Sequence, residues 1–299
     1  MRAHPVVWAL RVCWLSLPFT TGDVVGQSLD GRSTAVTVVV AALAWAGWAT
    51  VLMATIVAHP VALTVLRILT PVAPVATVAA LTVWAPDDLP TSGTVLGGIG
   101  LVAALVATAA ALSGVVADDY VDAASYGAER RFALRVPTAF LLGPVPVFWL
   151  TLVGGCLVGP VLLAAQQWIG GAVLTVIGLA IAVPAVKAFH GLSRRWLVFV
   201  PAGVTLIDHI GLVDPVLFPA RQISAFGPAV EATTATDLTQ QALGLVLEIS
   251  FDSPVEVTAR TSKAEGELQL LKAVLISPTR PGAVVAEADR RGLRTAVNA

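Results

Sequence analysis

The sequence predicts a membrane α-helical bundle of about five transmembrane helices, followed by a small C-terminal antiparallel β-rich domain closed by a short helix. Three observations predict it. Long apolar stretches fill residues 35 to 188, and nearly every charged residue there sits in a short gap between them. The chain is 57% hydrophobic and 12% charged, against about 25% charged in soluble domains. From Arg195 onward the apolar runs give way to short alternating segments separated by turn residues.

A stretch of roughly 20 apolar residues spans a bilayer as a helix. The first predicted span is 35–58, with Trp45 and Trp48 inside it and His59-Pro60 ending it. The second covers 68–84 and can begin near Val61, with Arg67 at its mouth and Pro86 closing it. The third is 94–117 and ends at Asp118-Asp119. The fourth lies in 138–165, where Pro144, Pro146 and Pro160 predict kinks or an unwound start. The fifth is 168–186. Ahead of them, residues 5–20 carry Arg11 within an apolar run and lack a small-residue cleavage site. They read as an amphipathic interfacial segment rather than a signal peptide, with Trp8 and Trp14 suited to the headgroup layer. The predicted domains are therefore an interfacial segment (1–34), the helical bundle (35–190), a β domain (194–292) and a tail (293–299).

Basic residues orient the bundle, because they stay on the cytoplasmic side. The loop 118–137 carries Arg130, Arg131 and Arg135, and the end of the fifth span carries Lys187, Arg194 and Arg195. The connections with Asp87-Asp88 and Gln166-Gln167 have no Lys or Arg. A five-span chain then has its C-terminus in the cytoplasm of a cell membrane and its N-terminus outside. The six basic residues are the predicted membrane-surface or docking residues, each contributing on the order of 1 kcal/mol near anionic lipid.

In the C-terminal part, Trp196–Val200 and Val204–Asp208 flank the turn triplet Pro201-Ala202-Gly203 and predict a hairpin. Val216–Phe218 precedes Pro219 as another strand. Leu243–Phe251 is predicted as a strand, Asp252-Ser253-Pro254 as a turn, and Val255–Arg260 and Leu270–Ile276 as further strands. Residues 229–242 read as a loop. Pro281 starts a helix that runs through Arg291 and stops at Gly292.

Three segments carry a family resemblance. Arg194-Arg195-Trp196-Leu197-Val198-Phe199-Val200-Pro201-Ala202-Gly203 enters a first hairpin directly from the membrane. Ser277-Pro278-Thr279-Arg280-Pro281-Gly282-Ala283 leads into a closing helix. With the strand order, these resemble the small bacterial pleckstrin-homology-like domains. The loop Ser125-Tyr126-Gly127-Ala128-Glu129-Arg130-Arg131-Phe132-Ala133-Leu134-Arg135-Val136-Pro137 looks like one in a family of actinobacterial integral membrane proteins. The resemblance implies architecture and location, and no reaction.

The chemistry-bearing groups point away from catalysis. No ionisable residue lies in the middle of a predicted span, unlike an ion-coupled carrier. A net charge of −1 argues against nucleic acid as a partner. Asp118, Asp119 and Asp122 have the residue types of a hard-cation site, but read as a solvated helix end facing the loop arginines. Asp208, His209 and Asp214 read as an exposed hairpin tip. Cys13 and Cys156 read as free thiols. Gly93-x-x-x-Gly97 and Gly155-x-x-x-Gly159 read as helix contacts within the bundle, with a homo-oligomer as the alternative. The expected function is an anchor, scaffold or regulatory subunit of the membrane, without cofactor or metal, whose β domain docks a protein partner or the lipid surface. The alternative is a transporter or transporter subunit for an apolar or lipid-like substrate, with the proline-rich fourth span as its broken helix.

Overall fold

The computed structural model describes residues 4–82, 91–260 and 266–295. The predicted end of the second span at Trp84 and Pro86 and the Asp87-Asp88 connection lie outside the described residues. The chain divides into two compact units: Met1–Val116 with Pro146–Phe189, and Ala117–Val145 with His190–Ala299.

The first unit is helical and holds three candidate spans whole and most of two more, whose ends at 138–145 and 190–193 fall in the second unit. Five candidate spans run Thr34–Ile56 (α3), Pro60–Thr82, Thr91–Leu112 (α6), Thr138–Ala164 and Trp168–Ser193 (α11). Each is long enough to cross a hydrocarbon core of about 30 Å. They leave Val38, Trp45, Val75, Val102, Val147 and Leu179 exposed, a surface that hydrocarbon solvates and water does not. The second span breaks where Pro71 interrupts it, into Pro60–Leu69 (α4) and Val72–Thr82 (α5). The fourth is also broken: Thr138–Leu142 (α8), Pro144–Val153 (α9), a π-helical turn at Gly154–Val158, and Gly159–Ala164 (α10). Pro160 lacks the N–H that would bond back into that turn, which favours the wider winding there.

Glycine contacts inside this unit follow the spacings expected from sequence. A Cβ on Gly155 would lie 2.2 Å from the Gly178 Cα, and one on Gly159 would lie 2.4 Å from the Thr175 hydroxyl. The fourth and fifth spans thus meet backbone to backbone through small residues, as membrane helices without a hydrophobic driving force do. Trp149 donates its indole N–H to the Ile68 carbonyl, 2.8 Å away at the end of α4.

The segment predicted as interfacial packs instead into the bundle. Pro5–Ser16 (α1) and Thr21–Ser28 (α2) both lie against α6, and Val7, Leu10 and Trp14 are buried. Trp14 and Trp48 exchange indole-to-carbonyl hydrogen bonds of 3.0 and 3.1 Å. Trp14 is therefore an inward anchor and not a headgroup residue. Arg11 donates twice to the Thr55 carbonyl, at 3.0 and 2.7 Å, in the last turn of α3. Such carbonyls lack helical partners and favour a cation.

The second unit holds two four-stranded sheets and a closing helix. One sheet has the order β1-β2-β3-β4 with all neighbours antiparallel: Arg130–Ala133 (β1), Trp196–Val200 (β2), Gly203–Ile207 (β3) and Val216–Pro219 (β4). The other has Ile223–Pro228 (β5), Leu247–Arg260 (β7) and Gly266–Ile276 (β8) antiparallel. A two-residue strand at Thr236–Asp237 (β6) runs parallel to β8. Pro281–Arg290 (α12) follows, and Gly292 ends it in the left-handed region, at φ +72°.

Three expectations change here. The 118–137 loop is not a separate connection, because its strand β1 completes the first sheet. Asp252-Ser253-Pro254 is a register shift inside one long strand and not a turn, since Leu247–Ser250 and Val255–Arg260 both pair with β8. Residues 293–295 belong to the domain rather than to a tail: Leu293 is buried and the Phe226 N–H donates to the Arg294 carbonyl at 2.8 Å. β5 has no counterpart among the predicted strands.

The core of this unit is shared by both sheets and α12. Phe132 and Leu134 enter it from the loop, beside Phe199, Phe226, Ile249, Val274 and Val284. The Phe132 and Phe199 rings meet edge to face at 5.7 Å. Burying each such side chain stabilises the fold by about 1.5–3 kcal/mol.

Replacing Gly178 with Ala forces a Cβ into the Gly155 backbone and should destabilise the purified protein by about 1–3 kcal/mol. Gly170 has nothing within 4 Å of an added Cβ, so Gly170→Ala serves as the neutral comparison. Thermal unfolding in detergent should separate the two variants.

Candidate functional site

β1 is the edge strand of its sheet, so the outward amides of Arg131 and Ala133 need partners. They find them on the helix Gly114–Asp122 (α7). Asp122 Oδ1 accepts the Arg131 N–H at 2.8 Å, and Asp118 Oδ1 accepts the Ala133 N–H at 2.9 Å. The match is geometric. Four residues of helix rise about 6 Å, and two residues of strand rise about 6.7 Å. An acid pair at i, i+4 on a helix therefore meets alternate amides of a strand edge. The outer carbonyl of Ala133 accepts from the Thr279 N–H at 2.9 Å, and the Arg135 N–H donates to the Ser277 carbonyl at 2.8 Å. The segment after β8 thus continues the edge that the aspartates begin.

The acidic cluster is accordingly not a solvated helix end, since Asp118 is fully buried. Its Oδ1 also accepts the Thr279 hydroxyl at 3.1 Å, and its Oδ2 lies 3.7 Å from the Arg280 guanidinium. Burial dominates these favourable contacts and pushes the Asp118 carboxyl up to about 6. Asp122 pairs with the Arg130 guanidinium and accepts the Ser125 hydroxyl at 3.0 Å. Among the described residues no group of three or more His, Cys, Asp or Glu is placed to hold a metal ion.

Arg195 and Asp208 both depart from expectation. The sequence places Arg195 at the membrane surface and Asp208 at an exposed hairpin tip. Their side chains are instead 1% and 2% exposed and form a two-pronged ion pair, with Nε to Oδ1 at 2.8 Å and Nη2 to Oδ2 at 2.6 Å. The remaining Nη1 donates to the Arg135 carbonyl at 2.5 Å, and Asp208 Oδ1 also accepts the Ile210 N–H. The hairpin register explains the meeting. Trp196 pairs with Ile207, so the residues just outside them stand opposite each other at the open end. The turn triplet 201–203 carries that signal, and counting outward from it pairs 195 with 208.

The other expected docking residues divide in two. Arg135 donates Nε to the Pro278 carbonyl at 3.1 Å and packs on Gly244, where a Cβ would come within 2.5 Å of the guanidinium carbon. Arg131 pairs with Glu129 at 3.0 Å and lies over the Trp196 ring at 5.2 Å. These two, with Arg195, hold the domain together rather than face outward. Lys187 on α11 and Arg194 just after it are exposed. His209 and Asp214 are exposed as expected.

Arg130 opens onto a groove that the sequence does not reveal. It lies along one face of α12 and beside β1, has a volume of about 380 Å³, and is lined by Arg130, Phe132, Arg280, Ala283, Glu287 and Arg290 among others. Its floor is apolar and its rim carries three guanidinium groups. Arg290 is 71% exposed and Arg280 34%. Glu287 is buried and pairs with Arg290 and Arg291, the latter at 2.6 Å. The i+3 and i+4 spacings from Glu287 to these arginines on a predicted helix are the available signal. Arg291 also donates to the Ala128 carbonyl at 2.5 Å, which binds the loop to the closing helix.

Comparisons with protein-family models, curated proteins and solved structures find no match to the chain.

A carboxyl that titrates near 6 when folded and near 3.8 when unfolded contributes its full stability below about 3.8, and this contribution is lost as pH rises through about 6. Its size is on the order of 2–3 kcal/mol. Through this group the thermal midpoint should fall from about pH 4 to about pH 6 and level off about one unit higher. Asp118→Asn keeps the Oδ1 acceptor and should flatten that dependence, whereas Asp118→Ala strands the Ala133 amide and should cost about 1–3 kcal/mol at every pH. Arg195→Met leaves the Asp208 carboxylate buried alone and should cost about 3–5 kcal/mol. Adding Asp208→Leu to that variant removes the stranded charge and should recover much of the loss in a denaturation midpoint.

Proposed function

We propose that the chain is a non-enzymatic membrane anchor or scaffold whose β domain docks a protein partner at the cytoplasmic face of the plasma membrane. The groove between α12 and β1 carries this reading. Arg130, Arg280 and Arg290, each also paired with a carboxylate of the domain, rim an apolar floor of Phe132, Ala283 and Ala286, and the largely exposed Arg290 suits the groove to a short segment with apolar side chains and an acidic one. The construction of the domain supports the same reading. The loop between the third and fourth spans supplies an edge strand, and the Arg195–Asp208 pair and the Asp118–Ala133 bond fasten it. Two separate segments of the membrane chain thus end inside one domain, which limits how far a docked partner can stray from the bilayer.

The strand arrangement supports the resemblance to bacterial pleckstrin-homology-like domains. One antiparallel meander of four strands is followed by an antiparallel set of β5, β7 and β8 and then a helix. The positive-inside distribution of Arg130, Arg131, Arg135, Lys187, Arg194 and Arg195 supports a cytoplasmic position for the domain. Lys187 and Arg194 are the exposed basic residues that fit a role at the lipid surface beside the docked partner.

The test is recovery of the tagged full-length protein from its native membrane in mild detergent. One stoichiometric protein should accompany it, and Ala286→Glu, which reverses the charge of the groove at an exposed position paired with neither Asp118 nor Glu287, should reduce that recovery about tenfold or more while the thermal midpoint stays within a few degrees. Equal recovery by the charge-reversed protein, or a wild-type protein that carries only a lipid or small molecule, would count against docking and move the weight to a transport role.

A further inference from the structure

We infer that Pro5–Ser28 is itself a membrane crossing, with an outer face against lipid hydrocarbon, so that the chain ahead of Pro5 and the chain beyond Ser193 lie on the same side of the membrane. This inference is independent of the docking role and stands on contacts within the helical unit.

The segment has the length of a span. From Pro5 to Ser28 it is helical nearly throughout, with a short 3₁₀ turn at Leu17–Phe19 joining α1 to α2. At 1.5 Å per residue it reaches about 36 Å, more than the hydrocarbon thickness of about 30 Å. Neither helix in it is long enough alone to be recognised as a span, because Pro18 breaks it near the middle.

It also runs the full depth of the bundle. An added Cβ on Gly93 would meet Gln27, one on Gly97 would meet Val24, and one on Gly100 would meet Thr21. Position falls along the segment as it rises along α6, so the two are antiparallel. Farther on, α1 packs against α6, whose buried stripe continues through Ala104, Ala107 and Ala111. The contacts with α3 agree: Arg11 meets Thr55 and Trp14 meets Trp48. An interfacial helix would touch one end of each span. This segment follows α6 from its first turn onward.

Its two faces differ in the way a lipid-facing span requires. Val7, Leu10, Trp14, Leu17 and Val24 are buried, while Trp8, Val12, Leu15 and Phe19 are 55%, 61%, 45% and 78% exposed. Through Phe19 that outer row has the same apolar character as the exposed surfaces of the other spans, and the exposed Asp23 lies in the last two turns, toward the end of the crossing. Several polar groups along the segment have internal partners, as hydrocarbon demands. Thr20 donates its hydroxyl to the Ser16 carbonyl at the break, and Thr21 and Thr77 share a buried hydroxyl hydrogen bond.

An extra crossing leaves the other five spans in the orientation their arginines require and moves only the N-terminal end. Arg2 then joins Arg130, Arg131 and Arg135 on the cytoplasmic side, and only Arg32 of the short 29–33 connection stays outside, close in sequence to Asp30. The five-span arrangement places Arg2, Arg11 and Arg32 outside together.

Single-cysteine labelling tests the inference. Cys13 and Cys156 are replaced by Ala, and His4→Cys, Asp30→Cys and His209→Cys are made one at a time in the full chain. A membrane-impermeant maleimide is applied to intact cells and to inverted vesicles. His4→Cys should label from the same side as His209→Cys, and Asp30→Cys from the opposite side. Labelling of His4→Cys and Asp30→Cys from one common side would overturn the crossing. If the cysteine-free background folds poorly, an N-terminal epitope on the wild-type chain gives the same reading through protease access. Digestion only in inverted vesicles supports the crossing, and digestion in intact cells overturns it.

Discussion

The β domain depends on one requirement, that the backbone of a four-residue edge strand be hydrogen-bonded on both sides. β1 meets it on its inner side by pairing with β2 and on its outer side through Asp118, Asp122 and the 277–279 segment. Each unpaired buried amide would cost about 1–3 kcal/mol, so these are not optional contacts. Most of the unusual features nearby follow from this. Asp118 is buried because the amide it serves is buried, and its raised carboxyl is the consequence of serving it. Phe132 and Leu134 reach the core because strand alternation around the paired backbone aims them there.

The basic residues of the 118–137 loop and of the chain after the fifth span are used within the domain itself. Orientation in the membrane depends on where positive charge sits along the chain, and that reading is unaffected by burial. The three-dimensional use of the same residues is different. Arg195 neutralises Asp208 in the interior, Arg135 ties the loop to the carbonyls that precede α12, and Arg131 stacks on Trp196. A positive charge counted along the chain can thus also be used inside the folded domain.

Much of the architecture is legible in the sequence because it rests on local patterns. The spans follow from uninterrupted apolar length, the β2–β3 hairpin from Pro201-Ala202-Gly203, and α12 from Pro281 and Gly292. What is not legible depends on partners distant in sequence. Nothing near Arg130–Ala133 announces a strand, because four residues carry little periodicity and the partner strand, Trp196–Val200, lies beyond two further spans. Asp118 and Asp122 have a visible i, i+4 spacing, but acids at a helix end look alike whether they face water or a strand edge. The N-terminal segment is hard to read for a related reason. Arg11 and Pro18 lower its apolar length, and contacts such as that to the Thr55 carbonyl and the tight approach to Gly100 show how the bundle accommodates it. The groove on α12 is hidden because Arg130 and Arg290 reach it from distant parts of the chain.

The pairing of β1 also dictates an order of assembly. Synthesis delivers Arg130–Ala133 well before Trp196–Ile207 and Ser277–Thr279, and two spans must enter the bilayer in between. At ordinary elongation rates the interval from Ala133 to Thr279 is on the order of 10–30 s. During it, the residues of β1 have no inner neighbour to pair with. In the folded domain α7 covers the outer side of that edge by holding two of its amides. The first sheet cannot close until the chain of the fourth and fifth spans has been made.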